Sequence, residues 1–276
     1  MEWSSSVDRS EMAAAVDGAD LSALSVGRWH NTHRTLASLA RVDLSATAGG
    51  LAARLFWMGD PVPAASDTAA VTHIYMDAPD SRRAIAFATC HHFGPVICDL
   101  QANMTQGLMV AAAFMRFPEG SSRTDYFTRA FLFQDDAFGE EDERTTEPQN
   151  PASAVVHPLY PPAQLTQLAG TWINTNRAST GVVKYEVDAS GRHVVSRAFE
   201  AGRPFPLDWG EAAGHVYAKG NEAQEPMIFT ASYETDDRHI DIQAKLNQGL
   251  LVVAHFYRHK HGDRSNSYTR EFYYKV

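Results

Sequence analysis

A chain of 276 residues, 44% hydrophobic and 21% charged, has the composition of a folded protein, which excludes a disordered chain and a disulfide-built scaffold. Its formal charge of -9 and pI near 5.7 argue against a nucleic-acid partner, which needs a concentrated basic surface. The longest apolar runs, such as Leu108 to Met115, fall far short of a membrane span.

Residues 1–20 are polar and alanine-rich, with a short helix expected over Ser10 to Val16, and read as an appendage. The opening residues are not basic, and Asp17 interrupts the apolar run from Met12, so no secretion signal is read and a cytoplasmic address is expected. In that compartment Cys90 and Cys98 are expected as buried thiols rather than a disulfide.

Leu21-Ser-Ala-Leu24 spaces two apolar residues for one helical turn leading into a strand. The strand opens Gly27-Arg-Trp-His-Asn-Thr-His-Arg34, and the chain writes this again as Gly170-Thr-Trp-Ile-Asn-Thr-Asn-Arg177, preceded by Leu165-Thr-Gln-Leu168. The offset of 143 holds from Trp29 and Trp172 to Phe56 and Phe199. Leu100 to Val110 then matches Ile242 to Val252, and Phe127-Thr-Arg129 matches Tyr268-Thr-Arg270. Such a repeat predicts two units of about 110 to 120 residues, each large enough for its own core. They are expected at 21–134 and 165–276, joined by an acidic, proline-bearing linker at 135–164.

Within each unit, short alternating segments rich in β-branched and aromatic residues are cut by turn signals such as Gln106-Gly107 and Gln248-Gly249. In the second unit, strands are expected from Trp172, over Val182–Val187, His193–Phe199, His215–Ala218, Met227–Tyr233, His239–Leu246, Leu250–Arg258 and Ser267–Tyr274. Many short strands without amphipathic helices between them predict an all-β protein of two tandem antiparallel up-and-down β-barrels.

One turn of helix, Gly-x-Trp at the first strand and an arginine on the last resemble the calycin superfamily of lipocalins, fatty-acid-binding proteins and avidins. The resemblance implies that Trp29 and Trp172 each close a barrel end and that Arg129 and Arg270 pack over those indoles. Gly170-Thr-Trp-Ile-Asn174 is similar to the avidin opening, which implies that Asn174 and Asn31 point into a ligand cavity. The tryptophan-lined biotin pocket of avidins has no counterpart here, since Trp57 and Trp209 stand at different points of the two halves. Asp208-Trp-Gly210 also resembles a segment of uncharacterised bacterial proteins, which implies no activity.

Strand alternation places Asn31 with Trp29 and Asn174 with Trp172, as ligand-fixing amides or as partners of neighbouring backbone. His73 with Tyr75 and His215 with Tyr217 are repeated pairs on one face, read as acid-base groups or as a retained polar surface. Arg54 and Arg197 precede Phe56 and Phe199 by two, and are read as inward anchors for a ligand or as surface charges. Cys90 and His92 share a face as a nucleophile-base pair with no orienting third residue, against plain strand-end residues. His255, His259 and His261 lack a carboxylate or cysteine to complete a metal site, and Arg258 and Lys260 repel a cation, so no metal is expected. No phosphate loop, nucleotide fingerprint or Gly-x-Ser-x-Gly elbow is present, so no cofactor is expected.

These features leave three functions. The first is binding of a mostly apolar small molecule, a metabolite or natural-product intermediate, in a barrel cavity. The second is a cofactor-independent cyclase or isomerase acting on such a molecule in biosynthesis. The third is an interaction module with filled barrels. A monomer or small homo-oligomer is expected.

Overall fold

The computed structural model describes residues 18–33, 39–48, 50–57, 66, 69–71, 73–121, 123–134, 165–189, 193–219, 226–261 and 264–276. The expected linker at 135–164 and the helix over Ser10 to Val16 lie outside these residues. The described chain is all-β, and none of its helices is long and apolar enough to cross a membrane. It divides into two compact units: residues 1–77 with 81–156, and residues 157–276 with 78–80.

The first unit holds β1 (Gly27–Asn31), β2 (Leu39–Thr47), β3 (Gly50–Trp57), β4 (Ala69–Ala70), β5 (His73–Met76), β6 (Ala84–Phe93), β7 (Val96–Thr105), β8 (Leu108–Arg116) and β9 (Tyr126–Gln134). An antiparallel meander runs from β5 to β9, continues through β1 and passes from there to β2, β3 and β4.

The second unit holds β10 (Gly170–Asn174), β11 (Val182–Asp188), β12 (Val194–Glu200), β13 (Leu207–Lys219), β14 (Pro226–Glu234), β15 (Arg238–Asn247), β16 (Leu250–His259) and β17 (Ser267–Lys275). Each pairs antiparallel with the next, and β17 pairs back onto β10, closing an eight-stranded up-and-down barrel. The alternation of its strands sorts the faces: in β12, Val194, Ser196 and Ala198 are buried, while Val195, Arg197 and Phe199 are half-buried on the other face.

The turns follow the chemistry of their residues. Gln106-Gly107 and Gln248-Gly249 each place both central residues at positive φ, 48° and 78° in one, 49° and 80° in the other. This is the two-residue hairpin turn whose twist matches the flanking strands, and glycine takes the second position without a steric penalty.

Both units begin in the same way. Trp172 is buried and donates from Nε1 to the carbonyl of Leu168 at 2.8 Å, and Trp29 donates to that of Ser25 at 3.1 Å. Each acceptor lies four residues earlier, at the helical turn that precedes the strand. Gly170 and Gly27 have φ of +130° and +146°, and a Cβ there would lie 2.6 Å from Lys275 Cε or Gln134 Nε2. Glycine adopts this positive φ readily, and its missing Cβ leaves room for the end of that last-strand side chain.

That side chain is not the arginine. Trp172 pairs with Lys275 and Trp29 with Gln134, and the Lys275 ammonium lies 5.6 Å from the Trp172 ring centre. Arg270 and Arg129 stand five residues earlier, an odd number, which turns them to the opposite face of the strand. There Arg270 lies 6.0 Å from the Tyr268 ring and Arg129 5.2 Å from that of Phe131. The placement of Arg129 and Arg270 over the tryptophans is therefore corrected.

Candidate functional site

The barrel of the second unit carries a polar, aromatic interior. On β11, Tyr185 shares the inward face with Val187. On β16, His255 and Tyr257 follow Val253, and on β17, Thr269, Glu271 and Tyr273 alternate inward. The register His255 to Thr269 and Leu251 to Tyr273 brings these two strands together.

His255 is fully buried. Its Nε2 lies 2.8 Å from the Tyr185 hydroxyl and its Nδ1 lies 3.2 Å from Thr269 Oγ1. In the tautomer protonated at Nδ1, Tyr185 donates to the ring and the ring donates to Thr269; the other tautomer requires Tyr185 to accept. The imidazole lies nearly parallel to the rings of Tyr185 and Tyr257, with centroids 6.2 and 5.7 Å away and interplanar angles of 19° and 11°. Tyr273 meets Tyr185 edge-on at 5.1 Å.

Burial governs the protonation of this cluster. It pushes the His255 imidazole down to about 4, against the opposing pull of the Glu271 charge, so the ring is neutral at neutral pH. The phenols of Tyr185, Tyr257 and Tyr273 are pushed well up, first by burial, then by Glu271 for Tyr257 and Tyr273 and by the neighbouring phenols for Tyr185, so all three are protonated hydrogen-bonding groups. Glu271 accepts from Ser179 Oγ at 2.6 Å on one oxygen and from the Tyr273 hydroxyl at 2.9 Å on the other.

The described connecting residues 175–181, 201–206, 235–237, 260–261 and 264–266 lie at the barrel end opposite Trp172. At this mouth, Glu200 Oε2 accepts from Trp209 Nε1 at 3.0 Å and from Arg238 Nη2 at 2.5 Å. The Arg238 guanidinium lies 5.7 and 5.5 Å from the rings of Trp209 and Tyr257. Deeper in, Ser196 Oγ and the Tyr233 hydroxyl are bonded at 2.6 Å. The loop at 201–206 holds Phe205 with 79% of its surface exposed.

The corresponding positions of the first unit differ. By the sequence offsets of the repeat, Tyr185, His255, Tyr257, Glu271 and Tyr273 correspond to Val42, Ala113, Met115, Ala130 and Leu132, all buried. The outer faces, by contrast, keep their contacts. Arg116 bonds Asp99 at 2.7 Å where Arg258 bonds Asp241 at 3.1 Å. Arg41 meets Asp43 at 2.9 Å and lies 3.6 Å from the Phe56 ring, where Lys184 meets Glu186 at 2.7 Å and lies 3.7 Å from that of Phe199. The polarity has changed mainly on the inside. An inward histidine of the first unit, His91, is an exception, standing where the second has Tyr233.

The side chains singled out from the sequence are scattered relative to this cluster. Asn31 and Asn174 are buried, but their Nδ2 atoms donate to the carbonyls of Leu39 and Val182, each at 2.7 Å. Their Oδ1 atoms accept from the backbone of His33 at 2.8 Å and Asn176 at 2.9 Å. These amides tie the chain after β1 and β10 to the following strand, the backbone alternative weighed for them. Arg54 is exposed and donates from Nε to the Ser66 carbonyl at 3.2 Å. Arg197 makes a two-pronged bond to Asp208 and lies 5.5 Å from the Phe199 ring. Both arginines face outward, which corrects their reading as cavity anchors: each is offset by an odd number of residues from inward neighbours, Leu55 and Ala198.

His73 and Tyr75 are T-shaped neighbours at 6.2 Å, and the exposed His215 lies 4.7 Å from the ring of Tyr217. None of these four joins the His255 cluster. Cys90 lies opposite Asp99, and burial with that carboxylate pushes its thiol up to about 12, which is the reverse of an activated nucleophile. With His92 exposed, the Cys90–His92 pair lacks a base-held thiolate and is corrected. His259 lies at the end of β16 opposite Arg238, and no group of three or more His, Cys, Asp or Glu residues is placed to hold a metal among the described residues.

The sequence reading took His255 only as part of a metal spacing and missed Tyr185, Tyr257, Glu271 and Tyr273. A signal was available: aligned by the repeat, these inward positions change from aliphatic to hydrogen-bonding residues between the halves. No known protein family and no curated protein matches this sequence.

Proposed function

We propose that the two units are calycin-like barrels arising from one duplication, and that the second encloses a mostly apolar small molecule around His255. The observation that carries this reading is the replacement of aliphatic inward residues in the first unit by Tyr185, His255, Tyr257, Glu271 and Tyr273 in the second. Stacked rings supply apolar surface, and the few polar atoms between them supply orientation, which is the usual make-up of a small-molecule site.

A second reading is cofactor-independent cyclisation or isomerisation of the same molecule. It is favoured by the neutral imidazole of His255 in hydrogen-bond contact with the Tyr185 phenol, two groups able to exchange a proton with a substrate.

Native mass spectrometry of the protein purified from its own host, set against the denatured spectrum, tests the common site. A co-purifying small molecule that is lost in the His255→Leu variant is expected. Absence of any bound species, with no thermal shift across apolar acids, polyketides, indoles and amines, would remove both readings and leave a filled barrel with a surface role.

A further inference from the structure

The half-buried carboxylates on the strands of the second barrel are Glu186, Glu200, Asp241 and Glu271. Three have a cation. Lys184 lies 2.7 Å from Glu186, Arg238 lies 2.5 Å from Glu200, and Asp241 has Arg258 at 3.1 Å and His239 at 3.0 Å. Glu271 has only neutral donors, the hydroxyls of Ser179 and Tyr273, and no Lys, Arg or His within ion-pair distance among the described residues. The nearby imidazole, that of His255, is neutral, as described above. A carboxylate drawn into a protein interior costs free energy that hydroxyl donors offset only in part.

Glu271 is also the one of these four that belongs to the aromatic cluster. Tyr273 bonds it directly, and its charge reaches the phenols of Tyr185 and Tyr257. Aromatic faces beside a carboxylate are a setting for a positively charged nitrogen, held by cation-π and ionic attraction together. A flat apolar body would extend along the near-parallel rings of Tyr185, His255 and Tyr257. We infer that Glu271 is the counter-ion of a cationic nitrogen on the ligand, so that the second barrel takes an organic ammonium with a flat apolar body. This rests on the proposed reading of that barrel as a small-molecule site.

Gly181 lies beside the carboxylate: a Cβ there would sit 3.4 Å from Glu271 Oε2. Ser179 and Gly181 both belong to the connection at the mouth, so the carboxylate lies at the end through which a ligand would come.

The test is a titration followed by the tyrosine and histidine NMR signals. The probes are 2-phenylethylammonium, tryptammonium and benzyltrimethylammonium, the neutral alcohols 2-phenylethanol and tryptophol, and sodium or potassium chloride alone. Ammonium probes should bind about 10-fold or more tighter than their alcohol counterparts. Glu271→Gln, which keeps the shape and one acceptor oxygen, should abolish that preference. Tyr273→Phe, which keeps the charge, should retain it, and serves if Glu271→Gln does not fold. Equal binding of ammonium and alcohol, or an unchanged preference in Glu271→Gln, would overturn the cation inference while leaving the binding site standing. Response to sodium or potassium alone would overturn the organic ammonium. If no probe binds, a neutral or anionic co-purifying molecule in the native mass spectrum overturns only this inference, and the lack of any such molecule overturns the binding reading with it.

Discussion

Replacing His255 by Leu removes the bonding partner of a phenol that has nowhere else to turn. Tyr185 is completely buried, and its hydroxyl is bonded to His255 Nε2 at 2.8 Å. Without the imidazole, the hydroxyl keeps its desolvation cost and loses its return, a loss of about 1–3 kcal/mol. Tyr185→Phe perturbs the same bond from the other side. The imidazole then keeps Thr269 through Nδ1 at 3.2 Å but leaves Nε2 unbonded in an apolar setting, which costs about 1–2 kcal/mol. The double variant removes both polar ends together, so its cost should fall below the sum of the single costs by about 1–2 kcal/mol. The assay is urea unfolding followed by tryptophan fluorescence, with Trp172 and Trp209 as reporters in the second unit, repeated by thermal melting. In a unit of this size about 1 kcal/mol moves the melting temperature by about 4 °C. Additivity within about 0.3 kcal/mol would refute the coupling and with it the central contact of the cluster.

Two histidines of this unit, His255 and His239, should give opposite pH limbs. His255 has a folded pKa near 4, below the ordinary 6.5, so its contribution is complete above about 6.5 and is lost as pH falls through the interval to 4, by about 3 kcal/mol. His239 is raised by its hydrogen bond to Asp241 and by Glu234, so its contribution is complete below the unfolded pKa and is lost as pH rises through the folded one. Unfolding midpoints measured against pH should fall less steeply between pH 6.5 and 4 in His255→Leu, and less steeply on the alkaline side in His239→Gln; unchanged limbs would contradict the assignments. Cys90, with its thiol pushed up to about 12, should resist iodoacetamide at pH 8 in the folded protein, and rapid alkylation seen by mass spectrometry would refute its environment. Arg54→Ala and Arg197→Ala remove outward charges, so each should shift stability by less than about 1 kcal/mol and leave ligand affinity unchanged in the titration above.

Strand period and turn residues were enough to expect eight strands in the second half, because alternation and Gln-Gly turns are local properties. The start of β13 at Leu207, rather than at His215, was not legible. Its first part, including Trp209, pairs with β12 and its last part with β14, and such a change of partner is a long-range fact. The error over the arginines has a different origin. Family likeness placed Arg129 and Arg270 by their order along the strand, whereas the face of a strand residue depends on parity, and only the pairing of Trp29 with Gln134 and Trp172 with Lys275 sets that parity. Asn31 and Asn174 were legible as inward amides. Their partners were not, since Leu39 and Val182 lie beyond the turns that the amides themselves fix.

The contrast between the two units bears most directly on the proposed site. Outer ion pairs such as Arg116–Asp99 and Arg258–Asp241 contribute little each, on the order of 0–1 kcal/mol, yet both units have them. Inward, where a change costs more, the units disagree. The first unit has Val42, Ala113, Met115, Ala130 and Leu132 at inward positions where the second has three tyrosines, a histidine and a carboxylate. Aliphatic residues at these five positions are thus compatible with strands of this arrangement, and nothing in the pairing of β10 to β17 calls for polar groups there. Buried polar atoms weaken a core unless each is bonded, and Tyr185, His255, Thr269 and Tyr273 are held in such bonds. Glu271 is where the compensation stops at neutral donors. A barrel that needed only to fold would do better with the alanine of the first unit there, so the carboxylate is the residue at which a bound molecule has most to explain, and Glu271→Ala should separate the two demands: a gain in unfolding free energy with loss of ligand is expected, and a loss of both would mean that Glu271 serves the fold.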